Sequence, residues 1–309
     1  VLGRIPDTLA GGLITLDRPA SQKAFDELGE RFGMSAEEVA AGVFEIATVN
    51  QVHGIRQVTV TRGRDPRDYV LLAFGGAGGM FATDVADFLE IDKAISPPNP
   101  GNLSAFGLHV SDIKRDYVQT LVRQQSTAKH QEIEKMWRAL EDAGKREIAD
   151  EGVAAKSITL QRSADVRYVG EGHEVPVVLP IAMSGPEALE KVWSDFHEVH
   201  ERTFGFSYEG KQDVEIVNLR VQAVGRVHRP TPRKVGKAGD PAASKGSRKV
   251  FWRATGWVDC PLYDRAAIRP GQRIAGPLVS EEYGSTVVVP PGWAVTCDDY
   301  GILHLERGA

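Results

Sequence analysis

The stretch Asp68–Leu89, DYVLLAFGGAGGMFATDVADFL, decides how this chain is read. Tyr69 to Phe74 is short, continuous and apolar, the pattern of a buried strand. Ala82 to Leu89 has the spacing of a helix. Between them Gly75, Gly76, Gly78 and Gly79 surround Ala77 in one tight turn. Outward from this unit the alternation continues. Upstream, Ser35-Ala36-Glu37-Glu38 is a capping box. It opens a long helix with apolar or small residues at Ala40, Val43, Ala47, Gly54, Ile55 and Val58, halted at Gly63 and Asp65-Pro66. Downstream, Ala94-Ile95 begins a second strand that ends in SPPNPG, and a further helix is expected over Leu103 to Val110. Strand, helix, strand, helix predicts an α/β layer with a mainly parallel sheet.

A glycine turn between strand and helix brings backbone N–H groups close to a ligand, and the helix N-terminus adds partial positive charge. Four readings compete. A P-loop requires Gly-Lys-Ser/Thr, and Gly79 is followed by Met80 and Phe81, which excludes it. A dinucleotide fingerprint starting at Gly76 puts Phe81 where its third glycine belongs. The adenosine-side turn of actin-like ATPases also uses a Gly-Gly-x-x-Gly-type loop after a strand. A tight strand-to-helix turn without a ligand would look the same.

The rest of the chain changes character twice. Lys129 to Asp150 reads as a polar-rich helix with Ile133, Trp137, Leu140 and Ile148 on its apolar side. SITLQRSADVRYVGEGHEVPVVLP has strand composition broken at Gly170-Glu171-Gly172 and predicts a hairpin. Glu187 to Arg202 is another helix and VEIVNLRVQAVGRV an alternating strand, so the middle region is α+β. RPTPRKVGKAGDPAASKGSRK, from Arg229, is basic, small and proline-containing, the composition of a linker. It lacks the interleaved aromatics of a nucleic-acid tract. The last sixty or so residues are short β-branched runs divided by Tyr-Gly and Pro-Pro-Gly turns, in the style of a small sandwich or barrel.

Composition excludes several classes. The chain has 309 residues, 42% hydrophobic and 26% charged, with a formal net charge of −5, a poor match to polyanionic partners such as nucleic acid. No apolar run reaches the ~18 residues of a membrane span. Cys260 and Cys297 are too few for a disulfide framework, which suits a reduced, cytoplasmic protein.

Several motifs in series carry a resemblance. TVNQVHGIRQVTVTRG followed by GRDPRDYVLLAFGGAGG resembles the hydantoinase A/5-oxoprolinase family, which includes the nucleotide-binding subunits of acetone and acetophenone carboxylases. VLGRIPDTLAGGLITLD, SADVRYVGEGHEVPVVLP, FHEVHERTFGF and WVDCPLYDRAAIRPGQRIAGPLVSEEYGSTVVVPPGW are similar to family segments in the same order. The resemblance implies a fold of both α/β and α+β type. Residues 1–122 would be the end of an actin-like (ribonuclease H-like) ATPase lobe, 123–230 an α+β region, 231–249 a basic flexible linker, and 250–309 a small β-rich C-terminal domain. It implies ATP and Mg²⁺ as cofactors, with Gly75, Gly76, Ala77 and Gly78 touching nucleotide through backbone atoms. The family's first phosphate loop, of Asp-x-Gly-Gly-Thr type, does not occur in this sequence. The expectation is therefore the C-terminal half of a longer chain, or a split subunit whose partner carries the other lobe, working with a hydantoinase B-type subunit.

In this family ATP is expected to phosphorylate a carbonyl or enol oxygen of a small-molecule substrate, before water opens a cyclic amide or an enol-type carbon is carboxylated. The chain departs from the family's Gly-Gly-Ala-Gly-Pro-Leu-His-Ala: Phe81 stands where members often carry His, which keeps a ketone carboxylase open beside the amidohydrolase. A non-catalytic assembly subunit is the alternative of another class.

Other residues invite weaker readings. His197 and His200, three apart in FHEVHE, have a metal-compatible spacing, although Glu198 and Glu201 suggest a solvated face. Asn50, His53 and Gln57 form a polar stripe that fits a buried network or a contact between lobes, with a ligand site as the alternative. Asp165, Arg167 and Tyr168 suit a structural salt bridge. Glu281, Glu282, Ser285 and Thr286 flank a turn that faces either a partner or solvent.

Overall fold

A computed structural model describes residues 1–236 and 241–308. They form two compact units, one of Val1–His109 with Thr231–Ala309 and one of Val110–Pro230.

In the first unit a two-stranded hairpin, β1 (Thr8–Leu9) and β2 (Ile14–Thr15), precedes α1 (Arg18–Phe32) and α2 (Ala36–Val58). The capping box forms as expected. Glu38 N–H donates to Ser35 Oγ at 3.2 Å, and Ser35 N–H donates to Glu38 Oε2 at 2.8 Å. Then come β3 (Leu71–Leu72), α3 (Gly78–Leu89), β4 (Lys93–Ser96) and α4 (Leu103–His109). After the second unit the chain returns as β9 (Ser247–Trp252), β10 (Gly256–Asp264), β11 (Arg273–Ala275), β12 (Leu278–Glu282), β13 (Ser285–Val289), β14 (Trp293–Cys297) and β15 (Leu303–Arg307).

These strands make two sheets, ordered β13-β12-β10-β9 and β11-β14-β15-β4-β3. The second sheet corrects two expectations. It is mainly antiparallel, with only β3 and β4 running parallel. Nor do residues 250–309 stand alone, because β15 pairs along β4 from Leu303↔Ser96 to Glu306↔Lys93. Leu303 and Leu305 then share one core with Ala82, Val85, Ala86 and Leu89 of α3. The run Tyr69–Phe74 is also not the buried strand its composition suggests. Only Leu71–Leu72 pair, at the edge of the sheet, and Tyr69, Val70, Leu72 and Phe74 are exposed.

The expected linker over 231–249 lies partly outside the described residues, at 237–240. Its described ends are tied down: Val235 N–H donates to Asp299 O at 2.9 Å, Lys234 pairs with Asp299 at 2.8 Å, and Lys245 N–H donates to Leu262 O at 2.8 Å.

The second unit is a sheet ordered β5-β8-β6-β7, from β5 (Ile113–Gln124), β6 (Ile158–Tyr168), β7 (Val175–Val178) and β8 (Val214–Gly225). All its pairings are antiparallel, including the expected β6–β7 hairpin. Helices α5 (His130–Asp150) and α6 (Pro186–Phe204) bring Ile133, Trp137, Val192 and Phe196 into one core with Tyr168, Ile216 and Leu219 of the strands. The architecture is mixed α and β. No helix among the described residues is long and apolar enough to cross a membrane.

Candidate functional site

Because β3 and β4 are parallel, their C-terminal ends lie side by side, the place where open α/β sheets receive ligands. The glycine turn follows one strand and SPPNPG follows the other. Gly75 has φ +85°, a left-handed conformation that favours glycine, and its N–H donates to Pro100 O at 2.7 Å, which joins the two loops. Gly78 N–H donates back to Gly75 O at 3.3 Å. Gly79 lies within α3, where a Cβ would come within 2.8 Å of Thr286 O and of Val287 Cγ2, so its small size serves the packing of α3 on β13. The amides of Gly76 and Ala77 remain, and neither finds an acceptor among the described residues. Both residues are exposed at the N-terminal end of the 12-residue α3, where the helix dipole adds partial positive charge.

These two residues line a cleft of about 950 Å³ built within the first unit. Its other walls are the β1–β2 hairpin with Gly11 and Gly12, the loop at Pro98 and Asn99, residues Asp264 to Pro270, and the β12–β13 turn. Of the four expected backbone contacts, Gly76 and Ala77 border the cleft, while Gly75 and Gly78 stand behind them. Glu281, Glu282, Ser285 and Thr286, legible only as turn residues, come to the same cleft.

The carboxylates there are held by specific partners. Glu282 Oε1 accepts from Ser285 Oγ at 2.7 Å and lies 3.4 Å from Arg265, while its Oε2 accepts from Asn99 N–H at 3.0 Å. Glu282 thus joins the β12–β13 turn to the loop after β4. Arg265 is buried and donates to Ser96 Oγ at 3.2 Å, Ser96 O at 2.6 Å and Gly301 O at 3.1 Å. Burial pulls its guanidinium below the ordinary value, against the pull of Glu282. Glu281 meets Lys245 and Arg248, each at 2.8 Å. Burial alone would raise its carboxyl, but the two cations outweigh burial and hold it low. Arg269 is exposed on the cleft, with no ion-pair partner among the described residues. Sequence reasoning missed Arg265 and Arg269; the available signal was two arginines flanking Ala266-Ala267-Ile268 ahead of a Pro-Gly turn.

The remaining candidates do not assemble a site. His200 is buried, not on a solvated face, with Nδ1 3.0 Å from Phe206 O and Nε2 3.1 Å from Glu171. His197 Nδ1 lies 2.8 Å from Tyr168 OH. No group of three His, Cys, Asp or Glu side chains is placed to hold a metal ion among the described residues. Asn50, His53 and Gln57 are exposed on α2 and form no buried network. Asp165 pairs with Arg220 at 2.7 Å and Arg167 with Glu215 at 2.8 Å, the structural role expected of them. Phe81 stacks on Phe44 of α2, with ring centroids 4.2 Å apart, and is not among the residues lining the cleft.

Two family models match the chain: hydantoinase/oxoprolinase over residues 1–117 and the hydantoinase/oxoprolinase C-terminal domain over residues 121–308. The caprolactamase subunit alpha of Pseudomonas jessenii is 33% identical over 99% of this chain and 45% of its own. The crystal structure of the ATP-dependent caprolactamase from that organism is similar with a TM-score of 0.73 and 32% identity, over 100% of this chain and 46% of that one. A nucleotide-free acetone carboxylase structure, from work on ATP-dependent acetone carboxylation, is similar with a TM-score of 0.77 and 25% identity, over 98% of this chain and 44% of that one. The chain therefore spans less than half the length of these relatives.

Proposed function

The chain belongs to the hydantoinase/oxoprolinase family, and on that premise we propose that it supplies one wall of the nucleotide site of an ATP-dependent amidohydrolase acting on a cyclic amide. The observation that carries this reading is the pair of unengaged amides at Gly76 and Ala77, at a helix N-terminus on a cleft of about 950 Å³. ATP would supply the activation, its terminal phosphoryl group passing to the amide oxygen so that phosphate can later leave when water opens the ring. The chain's own part is binding and positioning, which is most of what phosphoryl transfer asks of a protein. The two amides donate to nucleotide oxygens, and Arg269 offers a cation to the phosphates. Glu282, fixed by Asn99, Ser285 and Arg265, holds the opposite turn in place. Mg²⁺ is assigned to no residue here, because no three potential ligands converge among the described residues. The fold is read as the end of an actin-like lobe, and a hydantoinase B-type subunit is the proposed companion, since the caprolactamase relative is itself a subunit.

A ketone carboxylase is the second reading, favoured by the TM-score of 0.77 to acetone carboxylase. In the intact protein a lactam or hydantoin should stimulate ATP hydrolysis without bicarbonate. Stimulation by a ketone with net CO₂ fixation would select the carboxylase instead.

Ala77 is the residue to change, because a Cβ at Gly76 would already press on Gly284 O at 3.3 Å. Ala77→Glu adds an acid that the α3 dipole tolerates but a phosphate does not. It should weaken ATP binding roughly ten- to a hundredfold while leaving the melting temperature unchanged. Unaltered ATP affinity would sink the nucleotide reading of this cleft.

A further inference from the structure

The β12–β13 turn carries a large side chain that the described residues leave mostly uncovered. Tyr283 is 67% exposed and borders the cleft. One edge of its ring rests on the β1–β2 hairpin, where a Cβ at Gly11 would lie 3.0 Å from Cε2 and 3.3 Å from Cδ2. Gly11 has φ +66°, so both its conformation and the ring above it favour glycine. Gly284, the next residue, presents its carbonyl 3.3 Å from where a Cβ of Gly76 would sit. The ring is therefore seated by one glycine turn, and the backbone of the next residue meets the other. Ile5, Leu9 and Ile268 make nearby walls apolar.

An exposed ring braced along one edge suits a flat partner better than an aliphatic one, because a π-face is covered most fully by another π-face. We infer that Tyr283 is the platform on which the planar base of the nucleotide stacks, with the sugar and phosphates directed to Gly76 and Ala77. This rests on the nucleotide reading of the cleft and adds the residue that recognises the base. It also explains the glycine at position 11: a side chain there would displace the ring from its seat.

The test is calorimetric titration of the intact protein with ATP and, separately, with inorganic tripolyphosphate. Tyr283→Ala should weaken ATP binding roughly 5- to 150-fold, the range for loss of one base–aromatic stack. Tripolyphosphate, which has no base, should bind the variant as it binds the parent. Tyr283→Phe should restore ATP affinity to within about twofold, since stacking needs the ring and not the hydroxyl. Wild-type ATP affinity in Tyr283→Ala overturns the inference, and so does an equal loss for both ligands, which would mark a collapsed turn. Ala77→Glu, run in parallel, separates the two levels. If it abolishes ATP binding while Tyr283→Ala has no effect, the nucleotide site stands and only the stacking role falls.

Discussion

The two units treat their polar groups differently. In the second unit, buried polar atoms mostly meet one another. Arg162, 4% exposed, lies 2.6 Å from Glu134 and 2.7 Å from Glu141, and its guanidinium covers the Trp137 ring at 5.3 Å. Tyr168 OH accepts from Tyr208 N–H at 2.8 Å and reaches His197 and Ser207. Trp137 Nε1 is an exception, buried with no partner among the described residues. The first unit also pairs the largely buried charges of Glu281, Glu282 and Arg265, but it leaves the Gly76 and Ala77 amides facing a cleft. A unit whose interior already satisfies itself has little to offer a ligand. Unspent backbone donors beside a cleft are where binding energy is available.

The largest expected effect tests the self-sufficient unit. Arg162→Ala strands Glu134 and Glu141 without their shared cation and should cost about 3–5 kcal/mol. Hydrogen exchange resolved by peptide should show the loss in β6 and β8, with the first unit's amides and ATP affinity unchanged. Exchange that rises equally in both units would break the contrast. The same cluster fixes an acid limit. Burial would raise the Glu134 carboxyl, but hydrogen bonds from Arg162, Arg138 and the Gly185 amide outweigh it and hold it at about 2, against an ordinary 4.5. A carboxyl depressed on folding contributes fully above its unfolded value and loses that contribution as the pH falls through the folded one. Protection of β6 should therefore hold above pH ~4.5 and decline towards pH ~2.

A pair of neighbouring glycines sharpens the account of the first unit. Gly79→Ala pushes a methyl to within 2.8 Å of Thr286 O on β13 and should cost about 1–3 kcal/mol. Gly78→Ala brings its Cβ only to 3.4 Å from Ala73 C, an ordinary contact, and should change stability by less than about 1 kcal/mol. Thermal melts of the two variants separate packing from chain flexibility. Equal losses would mean that the turn, and not the α3–β13 contact, requires glycine at both positions.

Local features were legible before folding and non-local ones were not. The Ser35 capping box, the β6–β7 hairpin and the helices α5 and α6 depend on neighbours a few residues apart, so pattern and propensity located them. The pairing of β15 with β4 joins Leu303 to Ser96, and no local signal announces such a partner. An apolar run such as Tyr69–Phe74 reads the same at the edge of a sheet as at its centre, because composition does not register whether a neighbouring strand exists. The site divides the same way. Gly76 and Ala77 were visible from the turn they occupy. Arg265, Arg269 and Tyr283 reach the cleft only because the C-terminal strands fold back onto the first unit's sheet.

The smallest expected effect concerns the first unit's interior. An open cleft does not imply a loose core, and the two cysteines report on that distinction. Both thiols are buried. Burial pushes Cys260 up to about 11, and Cys297 is raised for the same main reason. An ordinary thiol near 8.5 is partly ionised at pH 8 and reacts readily, whereas these should be protonated and shielded. Titration with a chromogenic disulfide reagent at pH 8 should therefore show almost no reaction at Cys260 and Cys297 in the native protein and reaction of both after denaturation. Rapid native reaction of Cys260 would place the loose part in the core between β9, β10 and β12. The contrast between the units would then extend from surface chemistry to local stability, since a thiol that protonation and burial should silence reacts only if its cover opens.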